Sequence, residues 1–120
     1  MVVDEVASPI VVAYVEPLGN LLGVTIYNFT RNMYFYVWRE GPTGEVAWAY
    51  PGDVVRVIVQ IKNSGNGDGI IWAKVTDIDT GAEVGYIAKF MVAGGLAQDW
   101  LMPDVTMPSK DLNLKVEVGH

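Results

Sequence analysis

The sequence predicts an all-β domain, a two-layer sandwich of about eight strands. Hydrophobic residues recur with period two in segment after segment, and nowhere with the 3.6-residue period of a helix. Clusters of Gly, Pro, Asn and Asp separate these segments at the spacing strands keep in a sandwich. Hydrophobic residues make up 51% of 120 residues, enough to offset ordering entropy with one buried core and too short a chain for two.

Ile10 to Glu16, set between Pro9 and Pro17, reads as the first strand. Val24 to Phe29 and Met33 to Glu40 are the next two, joined by Thr30-Arg31-Asn32. Gly41-Pro42-Thr43-Gly44 is a turn, and Val46 to Tyr50 a short extended piece. Val54 to Lys62 sets Val55, Val57, Val59 and Ile61 against Arg56, Gln60 and Lys62, which is the signature of a strand buried on one face. The turn Pro51-Gly52-Asp53 precedes it, and the loop Asn63-Ser64-Gly65-Asn66-Gly67-Asp68-Gly69 turns the chain back as a hairpin.

Ile70 to Asp79 is the return strand, with Ile71, Ala73 and Val75 inward and Lys74 and Thr76 on the other face. After the turn Asp79-Thr80-Gly81, Glu83 to Val92 alternates Val84, Tyr86, Ala88, Phe90 and Val92 with Gly85, Ile87, Lys89 and Met91. Gly94-Gly95 ends that strand, and Ala97 to Met102 is a shorter one. Pro103 and Pro108 bracket the link to the last strand, Asp111 to Val118, whose Leu112, Leu114, Val116 and Val118 share one face. No internal repeat, low-complexity tract or linker interrupts the chain, so residues 1–120 read as one domain.

Charge excludes one class of partner. Fourteen acidic against eight basic residues give a net charge of −6, and no basic run offers a face for a phosphate backbone, so nucleic acid is not expected. No window reaches the roughly 18 apolar residues of a membrane span. The first residues, Met1-Val2-Val3-Asp4-Glu5, lack the basic and apolar regions of a signal peptide, so the chain is expected either to be made without one or to be a piece of a longer secreted protein. Charged residues are only 18% of the chain, which fits either an apolar surface kept for a partner or a two-layer sheet protein with few long polar loops.

Catalytic chemistry is poorly supplied. The absence of cysteine removes disulfides, thiolate nucleophiles and thiolate metal sites. The single histidine, His120, is the last residue, where fraying makes a poor general base. A carboxylate pair of the glycosidase kind is formally open, but most acidic residues fall in turns (Asp53, Asp68, Asp79) or on solvent faces (Asp111, Glu117), so an enzyme is not expected, nor a cofactor. Weak candidates for calcium are Asn66 and Asp68 in the glycine-rich loop, and Asp77, Asp79 and Glu83 around the following turn. The glutamate that an EF-hand loop requires is absent, Val75 standing in its place. Turn chemistry explains these Asn and Asp residues better than metal binding does.

Eight of the thirteen aromatic residues lie between residues 27 and 50: Tyr27, Phe29, Tyr34, Phe35, Tyr36, Trp38, Trp48 and Tyr50. Strict alternation over Met33 to Glu40 puts Tyr34, Tyr36 and Trp38 on one face and Phe35 and Val37 on the other. A strand buried on one face hides only one of those sets. The remaining set either forms a protein interface, where Tyr and Trp anchor binding energy, or is packed internally, or serves as a platform for sugar rings. Tyr34, Tyr36 and Trp38 are therefore the candidate contact residues, with Trp72, on the Lys74 face of its strand, as an outlying member. A homo-oligomer or a protein partner is the expected use, and a carbohydrate-binding module the alternative. Asn28-Phe29-Thr30 is an N-glycosylation sequon, a weak pointer to a secreted setting.

The segment from Pro51-Gly52-Asp53 through the alternating strand to Asn63-Ser64-Gly65 resembles the signature of CARDB-type and related immunoglobulin-like domains. Val75-Thr76-Asp77-Ile78-Asp79-Thr80-Gly81 also matches such domains. Met107-Pro108-Ser109-Lys110-Asp111-Leu112-Asn113-Leu114 resembles the closing strand of bacterial and archaeal surface repeats. The resemblance covers about residues 51–118 and implies an immunoglobulin-like β-sandwich. It also implies a structural role in adhesion, spacing or assembly at a cell surface, in a filament or in a virion. The N-terminal portion departs from the pattern, with two aromatic strands where one is usual.

Overall fold

The computed structural model describes residues 10–15 and 20–120; the expected end of the first strand at Glu16 lies outside them. The described residues are all-β and form two sheets. The strands are β1 (Ile10–Val15), β2 (Leu21–Asn28), β3 (Met33–Arg39), β4 (Ala47–Trp48), β5 (Val54–Ile61), β6 (Gly69–Asp77), β7 (Glu83–Met91), β8 (Gln98–Leu101), β9 (Val105–Thr106) and β10 (Leu112–Gly119). Sheet I has the order β4-β1-β10-β6-β7, and sheet II the order β3-β2-β5-β8, with β9 continuing along the same edge of β5 as β8. No helix among the described residues is long and apolar enough to cross a membrane.

The core follows from alternation. Val55, Val57, Val59 and Ile61 of β5 are buried, as are Ile71, Ala73 and Val75 of β6 and Leu112, Leu114, Val116 and Val118 of β10. One face of each strand thus meets the opposite sheet, in a two-layer, sandwich-like arrangement. Trp100 of β8 and Met102 and Met107 beyond it are the bulky fillers at the β5 edge. β1 enters sheet I between β4 and β10, parallel to β10, with Val11 opposite Leu112 and Ala13 opposite Leu114. It adds buried Val11 to the core beside β10.

Bulges correct the alternation read for the first half of the chain. β2 opposes β5 with Leu21 facing Ile61 and Gly23 facing Gln60, so Leu22 is an extra residue and both Leu21 and Val24 stay in the core. β3 carries a second bulge. Tyr36 faces Thr25, but Trp38 faces Val24, which leaves Val37 as the extra residue. An extra residue inverts the in–out sequence beyond it. Trp38 accordingly packs on the core side with Phe35, while Tyr34 and Tyr36 point out. The single aromatic face expected of Tyr34, Tyr36 and Trp38 therefore does not exist.

The two long edges are treated differently. Along the outer edge of β3 the 41–46 loop folds back: the Tyr36 amide donates to Glu45 Oε1 (3.2 Å), and Thr43 Oγ1 donates to the Tyr36 carbonyl. These contacts satisfy groups that an incoming strand would need. β7, the opposite edge of sheet I, pairs only with β6 among the described residues. Its register places Lys89 opposite Ile71, on the core-side face, and the Lys89 ammonium reaches across to the Trp100 ring of sheet II (5.6 Å to the centroid). An inward-facing charge on an edge strand discourages strand addition.

Candidate functional site: two aromatic faces

The candidate contact residues are split between opposite outer faces of the molecule. Tyr34 and Tyr36 stand on sheet II, Trp72 on sheet I, and Trp38 belongs to the core margin.

On sheet I, β6 and β7 pair so that Ile70 faces Phe90, Trp72 faces Ala88 and Lys74 faces Tyr86, all on the outer face. The Trp72 and Tyr86 rings are stacked, 6.1 Å apart at 19°. Trp72 lies flat because its neighbour on β10 is Gly119, where a Cβ would come within 2.4 Å of the ring. Around this half-buried stack, Phe90 is 63% exposed, Ile70 54% and Tyr86 52%. Outward positions of an antiparallel sheet are ordinarily polar, and here four of them are large and apolar. Only Trp72 of this group was legible in the sequence as a contact. Ile70, Tyr86 and Phe90 were missed, although the signal was present: both faces of Glu83 to Val92 carry apolar residues, as they do in Met33 to Glu40.

On sheet II the outward rings are already engaged with neighbours. Tyr34 lies against Tyr27 (4.3 Å), and Tyr27 meets Phe29 edge-on (4.5 Å). Arginines cover two of the rings: Arg39 sits 4.1 Å from the Tyr36 centroid and Arg56 4.8 Å from that of Phe29. Arg56 also donates to Asp104 (2.6 Å).

The turn after β2 is held by a buried carboxylate. Asp53 is 4% exposed and accepts hydrogen bonds at Oδ2 from Asn28 Nδ2 (3.1 Å), Arg31 Nε (2.9 Å) and the Tyr50 amide (3.0 Å). Desolvation pushes its pKa up. The hydrogen bonds from Asn28, Arg31 and Tyr50, with the Arg31 charge, outweigh burial and hold the carboxyl below its ordinary value. Arg31 in turn lies over the Tyr50 ring (4.2 Å). This cluster ties the β2–β3 turn to the start of β5 and is structural. It also occupies the sequon: Asn28 is fully buried and its amide is committed to Asp53, so the folded domain does not present it for glycosylation.

No three His, Cys, Asp or Glu side chains among the described residues come together to hold a metal ion. Asp77 accepts from the Asp79 amide (3.0 Å), the turn chemistry the sequence suggests, whereas Asp79 accepts from Asn113 Nδ2 (3.1 Å) and Asp68 from the Ala93 amide (2.8 Å), bonds to distant parts of the chain. Glu83 is exposed at the start of β7. A recess of about 730 Å³ opens between the 63–69 loop and the end of β10. Its polar side chains are largely committed to holding that loop. Asn63 donates to the Gly67 and Met91 carbonyls (3.0 Å each) and accepts from the Gly65 amide (3.0 Å).

Comparison of the chain with family models, with curated proteins and with solved structures finds no match.

Proposed function

We propose that this chain is a non-catalytic interaction module, an immunoglobulin-like sandwich that assembles with further copies of itself through the outer face of sheet I. The observation that carries the reading is the open apolar cluster of Ile70, Tyr86 and Phe90 around the Trp72–Tyr86 stack. Burying such an aromatic surface is favourable by about 25 cal/mol per Å² of apolar area. A two-fold axis through the patch brings it against its own copy, so one surface suffices for a closed dimer. Lys89 on the β7 edge argues for contact between faces rather than strand addition. The immunoglobulin-like assignment is supported by a first strand parallel to the last, with every other described pair antiparallel. The sequence resemblance adds the setting, an assembled structure at a cell surface, in a filament or in a virion.

Light scattering behind size exclusion, over a series reaching high micromolar, tests this. The mass of the wild type is expected to rise above 13.1 kDa with concentration. The double variant Tyr86→Ser, Phe90→Ser is expected to stay monomeric with an unchanged far-UV spectrum, since both side chains are more than half exposed. A wild type that stays monomeric throughout contradicts the reading.

A further inference from the structure

The outer face of sheet II holds a groove that the assembly reading leaves without a role. Arg39 on β3, Gly23 on β2, Gln60 on β5 and Asp99 on β8 cross the sheet as one row, because Gly23 pairs with both Arg39 and Gln60, and Gln60 with Asp99. The adjacent outward row is Tyr36, Thr25, Ile58 and Leu101. Gly23 has no side chain, so a gap opens between Arg39 and Gln60. The result is a groove of about 270 Å³ that Tyr34 and Tyr36 also line. A Cβ at Gly23 would sit 3.3 Å from the Trp38 carbonyl oxygen and 3.7 Å from the Gln60 side chain, so the glycine forms the floor.

The polar groups around this floor are uncommitted. Among the described residues the side chains of Arg39, Gln60 and Asp99 have no hydrogen-bond or ion-pair partner. Arg39 is nonetheless positioned, its guanidinium resting 4.1 Å from the Tyr36 centroid. Tyr34, packed on Tyr27 on one side, is 53% exposed. The groove therefore offers a donor-only group, an acceptor-only group, an amide that does both, and an open aromatic ring.

We propose that this groove is a binding site for a neutral saccharide, one pyranose ring of which lies in the gap over Gly23. A pyranose has an apolar C–H face, which packs on an aromatic ring, and a rim of hydroxyls that each donate and accept. The Tyr34 ring, two outward pairs along β2 and β3 from the Gly23–Arg39 pair, takes the C–H face of the next sugar ring in the chain. Arg39 donates to one hydroxyl, Asp99 accepts from another, and Gln60 serves a hydroxyl in both senses. A sugar acid is disfavoured by Asp99 and by the net charge of −6. The groove is smaller than the roughly 300–1,000 Å³ of pockets for drug-sized ligands, which suits a single ring of a longer chain. This site is distinct from the sugar platform that alternation suggested, since Trp38 takes no part and the polar partners come from β5 and β8.

The test is a titration of ¹⁵N-labelled protein with cellotriose, chitotriose and mannotriose, each to millimolar concentration, followed by amide shifts. At least one sugar is expected to move the Gly23, Tyr36, Arg39, Gln60 and Asp99 amides in a saturable way. Tyr34→Ala and Gln60→Ala are each expected to weaken that binding about tenfold, a loss of about 1.4 kcal/mol. Should Tyr34→Ala fail to fold, Asp99→Ala, at an exposed position, is expected to weaken the same binding and carries the test. The double variant Tyr86→Ser, Phe90→Ser is expected to bind the sugar as the wild type does, so failure of the assembly reading leaves this one standing. Absence of shifts with all three sugars, or shifts confined to other surfaces, overturns the proposal.

Discussion

Asp53→Ala is expected to lower the unfolding free energy by about 2–4 kcal/mol, most of it from orphaned hydrogen-bond donors. The Asn28 amide is fully buried and loses its acceptor, and the Tyr50 amide loses the same oxygen. Arg31 contributes less, because its side chain is 38% exposed and water can take over from the lost carboxylate. Asp53→Asn keeps one acceptor oxygen and is expected to cost less than the alanine. Urea denaturation with an unchanged m-value measures both.

The same residue gives a pH dependence of known sign. The folded-state pKa of Asp53 lies below its ordinary value of 3.8, so the unfolded chain binds the proton more readily between the two values. Stability from the ionised carboxylate is complete above the unfolded value and is lost as pH falls through the folded one. The stability difference between wild type and Asp53→Asn is therefore expected to be flat above about pH 5 and to shrink below about pH 4. A difference independent of pH down to acid unfolding would show that the charge of Asp53 contributes nothing.

Gly85→Ala is the second large effect, and here two opposed terms can be weighed. Removing a glycine from a strand interior ordinarily stabilises by roughly 0.5–1 kcal/mol through the unfolded chain. At Gly85 the new methyl would stand 2.6 Å from Pro103 Cδ and 2.9 Å from Met102 Sδ. Met102 is buried and the proline ring is rigid, so neither yields freely, and overpacking of this kind costs about 1–3 kcal/mol. Overpacking wins, and Gly85→Val is worse. Gly69→Ala is the control: it is also in a strand, has open space around its Cβ direction, and is expected to be neutral or slightly stabilising. Thermal unfolding of the two variants should give shifts of opposite sign or sharply unequal size.

What the sequence made legible follows from how each strand is buried. β5, β6 and β10 are central strands with one face in the core and no bulge across their core positions, so strict alternation names their buried residues correctly. β3 defeats the same rule at Val37, since a bulge depends on the partner strand and not on the sequence of β3 alone. Trp38 changed faces for that reason. The turn at Pro51-Gly52-Asp53 was legible as a turn, with Gly52 at φ +88°, but its clamp on Asn28 joins residues 25 positions apart. The sugar groove is wholly a product of register. Arg39, Gly23, Gln60 and Asp99 come from four strands, and nothing in their local sequence brings them together.

The outer face of β6 and β7 is the proposed surface of self-association. Amide shifts of the ¹⁵N-labelled protein, followed from low to high micromolar concentration without any ligand, test it most directly. Shifts and broadening confined to Ile70–Lys74 and Tyr86–Phe90, and abolished by Tyr86→Ser with Phe90→Ser, are the predicted result. Spectra that do not change with concentration, or changes centred on Tyr34–Arg39 of the opposite face, would contradict it.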